Sequence, residues 1–118
     1  APGAVMSSYN KVNGMYVNNS YDLLTKVLRN EWGFQGLVMT DWFATGKNVG
    51  SHMSAIEAGN DLIMPGNKTA VKEIVKAVED GMIAAEDVKR CAANVLKGVL
   101  SSRIYQGYRR LVHHCINS

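Results

Sequence analysis

An α/β fold is predicted by three observations. Short apolar runs alternate with stretches of helical periodicity, each run stops at a turn former, and the order strand, helix, strand, helix, strand, helix fills most of the chain. Parallel neighbours need such helical crossovers, because the end of one strand must be carried back to the start of the next. The 118 residues suit one domain-sized unit, and 47% hydrophobic residues are enough for a packed core. There is no repeat at a solenoid period and no low-complexity stretch. Two architectures fit the alternation: a doubly wound sheet and a piece of a (β/α)8 barrel.

Ala4 to Tyr9 is short, small to apolar, and runs into the turn-forming Asn10-Lys11-Val12-Asn13-Gly14, as expected of a buried strand ending in a loop. Asn19 or Ser20 can cap the next helix, where Leu23, Leu24, Val27 and Leu28 make one apolar face and Gly33 supplies the stop. Gly36 to Thr40, with Leu37, Val38 and Met39 unbroken, suits a strand covered on both faces, and it ends at Asp41. A loop carrying Gly46 and Gly50 leads to a short helix from Ser51 or His52 to Ala58, closed by Gly59. Asp61 to Met64 is predicted as a third short strand, stopped by Pro65-Gly66. Val71, Ile74, Val75 and Val78 mark an amphipathic helix that ends at Gly81. A last helix is predicted from about Ala85 to Ile104, because Val88, Cys91, Ala92, Val95, Leu96, Val99 and Leu100 keep the helical period.

The composition excludes several classes. The net charge of +3 comes from 13 basic and 10 acidic residues scattered in both signs, with much of the excess at Arg103, Arg109 and Arg110. No basic stripe alternates with aromatics, which argues against a nucleic-acid partner. Cys91 and Cys115 have neither CxxC spacing nor a disulfide framework, and Cys91 falls on a helix's apolar face as a small core residue. His52, His113 and His114 lack HExxH spacing and a cysteine partner, so no metal site is expected, and His52 reads as a helix-start residue. Gly46-Lys47-Asn48 fails as a phosphate loop, which would need Gly at position 41 and Ser or Thr at position 48. Asn18-Asn19-Ser20 and Asn67-Lys68-Thr69 are formal glycosylation sequons, but both sit where helix caps are needed. No apolar run reaches the length of about 18 residues that a membrane helix takes. The chain starts at Ala1 directly before a strand-like run, without a Met or signal-peptide pattern, as a fragment would, so its localisation is open.

In both architectures reactive groups sit just past the C-terminal ends of the strands, a test met by Tyr9, Asp41 and Met64. Asp41 stands out. A carboxylate directly after an apolar strand and followed by Trp42 joins a nucleophile or base to an aromatic platform, and sugars use both. On the pattern alone Asp41 is equally a turn cap, with Trp42 a core residue.

The blocks Val5-Met6-Ser7-Ser8-Tyr9-Asn10 with Val12-Asn13-Gly14, Leu28-Arg29-Asn30-Glu31-Trp32-Gly33-Phe34, Gly36-Leu37-Val38-Met39-Thr40-Asp41-Trp42 and Ala58-Gly59-Asn60-Asp61-Leu62-Ile63-Met64-Pro65-Gly66 occur in that order. They closely resemble successive blocks of glycoside hydrolase family 3, the β-glucosidase and β-xylosidase type. The resemblance covers about Ala1 to Tyr108 and implies the last three strand and helix units of a (β/α)8 catalytic barrel, plus a C-terminal helix. Residues 109–118 do not resemble the linker that leads into the family's second domain and read as a divergent or frayed tail.

The resemblance further implies that Asp41 is the catalytic nucleophile of a retaining, exo-acting β-glycosidase acting on terminal glucosides or xylosides, with no metal or cofactor. Trp42 would wall the sugar site, and Met6 and Tyr9 would line the subsite of the non-reducing sugar, with the Tyr9 hydroxyl near the nucleophile or the ring oxygen. The acid/base glutamate would come from a second domain of a longer parent. Glu31, Glu57, Glu73, Glu79 and Glu86 fall on helices, and Asp61 starts a strand at the wrong end, so none is expected to replace it. Three strands cannot close a barrel of about 250 residues, so the isolated chain is expected to be inactive and to have open strand edges. The alternative is a non-catalytic carbohydrate-binding or interaction fragment that keeps Trp42 and Tyr9; a self-standing α/β protein with an unrelated ligand is a third.

Overall fold

The computed structural model describes residues 2–107, and the tail expected at 109–118, with His113, His114 and Cys115, lies outside them. The elements are β1 (Ala4–Met6), β2 (Lys11–Val12), β3 (Met15–Tyr16), β4 (Leu37–Met39), α1 (His52–Ala58), α2 (Lys68–Glu79) and α3 (Ala85–Ser101). A 3-10 turn at Val17–Asn19 and a π-helix at Asp22–Glu31 lie between β3 and β4. β1 and β4 pair in parallel, Ala4 opposite Leu37 and Met6 opposite Met39, and Met39 bridges Leu62 in parallel on its other side. Three parallel segments therefore stand side by side in chain order, joined by helical connections, which is an α/β arrangement.

The third segment, expected as a strand from Asp61 to Met64, is reduced to that one bridge. Apart from the Leu62 N–H, which makes that bridge's own bond, its backbone N–H groups find shared or side-chain acceptors. Those of Asp61 and Leu62 both donate to the Val38 carbonyl, at 2.7 and 3.2 Å, and that of Met64 donates to the Thr40 hydroxyl at 2.9 Å. β1 is shorter than Ala4 to Tyr9 and is not buried: Ala4 and Met6 are exposed and Val5 is half-buried. Among the described residues it has a strand neighbour on one edge alone. On β4, Val38 is buried while Leu37 and Met39 are half-buried. The stretch expected as a loop after β1 holds the β2–β3 hairpin, whose two turn residues, Asn13 at φ +50° and Gly14 at φ +81°, supply the left-handed pair of a type I′ turn.

Helix ends follow the sequence closely. The Ser20 hydroxyl accepts the Leu23 N–H at 3.3 Å, Leu24 is buried, and Gly33 at φ +67° ends the π-helix after Trp32 N–H has reached back five residues to the Val27 carbonyl. Ser51 caps α1 through the Ser54 N–H, and Asn67 caps α2 through the Ala70 N–H. Asn67 thus serves as a cap, whereas Asn18 of the other sequon caps nothing: it is fully buried and donates to the Ala44 carbonyl at 2.6 Å. α3 stops at Ser101, short of Ile104, because Ser102 turns extended; residues 103–107 make a separate helical turn. Of its apolar stripe Cys91 is buried and Val88 and Val95 are half-buried, but Ala92, Leu96, Val99 and Leu100 are exposed, since its buried partners Ile56 and Asp61 lie against residues 88–94. Burial pushes the Cys91 thiol above its ordinary pKa.

The apolar core is small, with one cluster of Leu24, Val38 and Ala58 and another of Ile56, Ala77, Ile83 and Cys91. Between helices and sheet sits a buried carboxylate. The Asp61 side chain has no exposed surface, and its Oδ2 accepts from the Arg29 guanidinium at 2.6 Å and the Val38 N–H at 2.9 Å. Its Oδ1 accepts from the Asn94 amide at 2.9 Å and lies 3.9 Å from Arg90 Nε. The same Arg29 group donates to the Gly36 and Gly59 carbonyls at 3.2 and 3.0 Å.

Removing one partner of such a pair leaves the other charge buried and uncompensated. Asp61→Ala is expected to cost about 3–5 kcal/mol in urea unfolding. Asp80→Asn, which breaks the solvated pair with Lys76 (side chains 44% and 74% exposed), is expected to cost less than about 0.5 kcal/mol. Equal losses from the two would show that Asp61 is no more than another surface-strength ion pair.

Candidate active site

The three parallel segments deliver their next residues to the same end of the sheet. Past β1, the Ser7 N–H still donates to the Met39 carbonyl at 2.8 Å, Ser7 is buried, and the chain then reaches Tyr9. Past β4, buried Thr40 donates its N–H to the Leu62 carbonyl at 2.9 Å and hands over to Asp41, which is half-buried. The third segment ends at Met64.

One peptide group ties these ends together. The carbonyl of Trp42 accepts the Tyr9 hydroxyl, and the N–H on the other side of the same peptide, that of Phe43, donates to the Met64 carbonyl at 3.0 Å. Asp41 Oδ1 accepts the Trp42 N–H at 2.7 Å, and the Asp41 carbonyl accepts the Ala44 N–H at 3.3 Å. The turn this makes puts Phe43 at φ +59°. Trp42 and Phe43 are 53% and 67% exposed and meet edge to face, 6.2 Å between ring centroids. Tyr9, Asp41 and Trp42 are thus brought together. Met6 stands lower, in the ladder opposite Met39, and is exposed.

Partial desolvation, and after it the charge and hydrogen bonding of Asp41, hold the Tyr9 hydroxyl above its ordinary pKa. The neutral phenol is the favoured form beside the carboxylate.

The loop behind Asp41 is anchored by residues that the sequence did not single out for this. Asn18 holds the Ala44 carbonyl, and Asn19 both donates to the Ser51 carbonyl at 2.9 Å and accepts the Ser51 N–H at 2.8 Å. Gly50 packs so close that a Cβ there would lie 2.5 Å from Asn18 Oδ1. His52 opens α1 as expected; its Nδ1 pairs with the Thr45 hydroxyl at 2.7 Å and its Nε2 lies 3.7 Å from Glu73. Phe43 was also missed, although an aromatic doublet directly after the carboxylate was a readable signal. Glu31, Glu57, Glu73, Glu79 and Glu86 are exposed on or beside the helices, and Asp61 is sealed in the core. Among the described residues no group of three or more His, Cys, Asp or Glu is clustered as metal ligands, and no helix is long and apolar enough to cross a membrane.

A carboxylate flanked by exposed aromatic rings at the C-terminal ends of parallel strands has the makings of a sugar site on an α/β scaffold. The model of the glycosyl hydrolase family 3 N terminal domain matches residues 1–97, and the chain belongs to that family. It is 51% identical over 96 residues to a beta-glucosidase of Rhizobium radiobacter, covering 79% of this chain and 11% of that protein. To beta-glucosidase B of Emericella nidulans it is 43% identical over 98 residues, covering 81% of this chain and 11% of that one. Its structure is similar to that of beta-glucosidase 3B from Thermotoga neapolitana in complex with glucose, with a TM-score of 0.79 at 41% identity over 92% of this chain and 16% of that chain. The chain therefore spans about a tenth of the length of these curated relatives.

The raised Tyr9 hydroxyl has a consequence in alkali. Between the ordinary phenol pKa of about 10 and the raised value, the unfolded chain has lost this proton and the folded chain keeps it. Stability from this group is therefore complete below that window and falls as the pH rises through it. Asp41→Asn removes the charge, so the Tyr9 titration is expected to move down part of the way, desolvation remaining. Absorbance at about 295 nm, taken as the difference from Tyr9→Phe, reads it; an unmoved titration would separate Tyr9 from Asp41.

Proposed function

We propose that this chain is part of a retaining, exo-acting β-glycosidase that hydrolyses terminal β-D-glucosides or xylosides, with Asp41 as nucleophile. The observation that carries the reading is a half-buried carboxylate just past the end of β4, whose Oδ1 accepts the Trp42 N–H, beside the Tyr9 hydroxyl and directly before the exposed residues Trp42 and Phe43. The β-glucosidase names of its relatives, and the glucose complex of the Thermotoga neapolitana enzyme, support a glucoside substrate.

In this reading residues 1–108 are the C-terminal portion of a (β/α)8 barrel, its last three strand and helix units, and 109–118 a divergent tail. The adjacent parallel order β1, β4, Leu62 supports this reading, since neighbouring barrel strands follow one another in chain order. The rest of the barrel and a further domain belong to a longer parent, and the isolated chain is inactive.

Asp41 attacks the anomeric carbon as the bond from that carbon to the leaving oxygen breaks, and an acid protonates that oxygen. The product is a glycosyl ester on Asp41. Water, deprotonated by the same acid/base group, then attacks the anomeric carbon, releasing the sugar and restoring the carboxylate. The second carboxyl has to stand about 5–5.5 Å from Asp41. It comes from outside this chain, because the glutamates here are on outer helix faces and Asp61 is buried. Trp42 and Tyr9 wall the bound sugar, and Met6 borders it. The two-carboxylate mechanism uses no metal or cofactor.

Intact-mass spectrometry of the full-length protein after 2-deoxy-2-fluoro-β-D-glucoside is expected to show one sugar adduct, mapped to Asp41. Asp41→Ala is expected to lose the adduct and to lower kcat by at least about 1,000-fold. A protein that hydrolyses glucosides yet never labels at Asp41 would remove the assignment. Sugar binding without turnover or adduct would instead favour a non-catalytic carbohydrate-binding fragment.

A further inference from the structure

The turn that carries Asp41 is held at its far end as well as in its middle. The Ala44 N–H closes the turn onto the Asp41 carbonyl at 3.3 Å, and the Ala44 carbonyl accepts two bonds, from the Asn18 side-chain amide at 2.6 Å and from the Gly50 N–H at 3.2 Å. Asn18 is itself fixed from behind. Its backbone carbonyl accepts the Asn60 amide at 2.7 Å, and Asn60 accepts the Ser7 hydroxyl at 2.8 Å. Ser7 precedes Tyr9 by two residues, and the Tyr9 hydroxyl donates to the Trp42 carbonyl in the middle of the same turn. The bonds therefore form a closed circuit that leaves the end of β1 at Ser7, passes through Asn60, Asn18 and Ala44, and returns through Trp42 and Tyr9. Ser7, Asn18, Ala44 and Asn60 are buried among the described residues alone, and further chain around them can only bury them more.

Gly50 reports how closely this circuit is fitted. Its backbone is outside the left-handed region, yet a Cβ there would lie 2.5 Å from Asn18 Oδ1, 2.8 Å from Asn19 Oδ1 and 3.0 Å from Asn18 Nδ2. Glycine is needed at this position for the approach of those amides rather than for its own φ. Asn18 makes no bond to the Asp41 carboxylate. Its hold runs through Ala44 and the turn, whose Trp42 N–H is the donor to Asp41 Oδ1. Taking Asp41 as the nucleophile of the reading above, we propose that Asn18 is a positioning residue for it, which fixes the turn so that the carboxylate keeps one direction from substrate binding to attack. A shift of about 1 Å in a reacting group costs on the order of 100-fold in rate. The loss from Asn18 falls on attack rather than on binding, because its amide bonds to the backbone of Ala44 and not to Met6, Tyr9 or Trp42.

The test uses the full-length protein and an activated 2-deoxy-2-fluoro-β-D-glucoside, with the growth of the Asp41 adduct followed by intact mass across inactivator concentrations. Asn18→Ala is expected to lower the limiting rate of adduct formation about 10- to 100-fold, while the concentration giving half that rate stays within about three-fold. Gly50→Ala, which keeps the amide but crowds it, is expected to show the same split, and the double variant to lose less than the product of the two single losses. Asn67→Ala, which removes the cap of α2, is expected to lower the melting temperature and leave the limiting rate unchanged. An unchanged limiting rate in Asn18→Ala, a loss confined to the half-saturating concentration, or an equal fall in Asn67→Ala would overturn the proposal. If Asn18→Ala does not fold, Gly50→Ala decides by the same split. A failure of the nucleophile assignment shows up separately, as an absent Asp41 adduct in the unmutated protein.

Discussion

The Asp61 carboxylate is the constraint on which the rest of the fold depends. It is fully buried, and its two oxygens are shared among Arg29 of the π-helix, the backbone of Val38 in β4, and Asn94 of α3. A charge in that place costs several kcal/mol unless each oxygen is met, so the four pieces of chain that meet there cannot shift independently. The register above it is set by the same contact. Once Asp61 lies beside Val38, Leu62 is opposite Met39, Met64 reaches the Thr40 hydroxyl, and Phe43 meets the Met64 carbonyl. A one-residue slip would turn the side chains of β4 to the opposite face and break these contacts.

A second buried group does for β1 what Asp61 does for β4. Asn60 has no exposed surface; its carbonyl accepts the Ser7 hydroxyl at 2.8 Å, and its amide donates to Asn18 and Ala55 carbonyls at 2.7 and 2.8 Å. Asn60 thus ties the C-terminal end of β1 and the 3-10 turn to α1. With only a few aliphatic side chains fully buried, these directional bonds carry the positional information that larger cores get from side-chain shape.

That division explains what was legible in the sequence. Gly33, Gly59 and Gly81 ended their helices because the left-handed φ they supply is a local requirement, readable one residue at a time. Leu24, Val38 and Cys91 fell in the core because period and apolarity mark them. The network of Asn18, Asn60 and Asp61 was not readable as such, since a buried amide and an exposed one look alike until their partners, up to 53 residues away, are known. The third strand was over-read for the same reason: Leu62, Ile63 and Met64 are apolar, but side-chain and shared acceptors replace most of its ladder. The β2–β3 hairpin carried a readable turn signal in Asn13-Gly14, but its strands are two residues each, too short for alternation to mark them. At the site, the strand end singled out Tyr9 and Asp41, whereas the clamp on the Trp42–Phe43 peptide depends on atoms from three segments.

The Tyr9 hydroxyl connects this scaffold to the chemistry. It donates to the Trp42 carbonyl, so it helps hold the turn that aims Asp41, and it can do so only while it keeps its proton. Partial desolvation, and after it the carboxylate beside it, keep that proton on, since a phenolate there would be poorly solvated and would place two negative charges together. The Asp41 carboxylate therefore stabilises the protonated form of the hydroxyl that braces its own turn. The displacement proposed for Asp41 needs a carboxylate fixed in direction before substrate arrives, and the turn braced by Tyr9 and Met64 holds the backbone of Asp41 and Trp42 in that way.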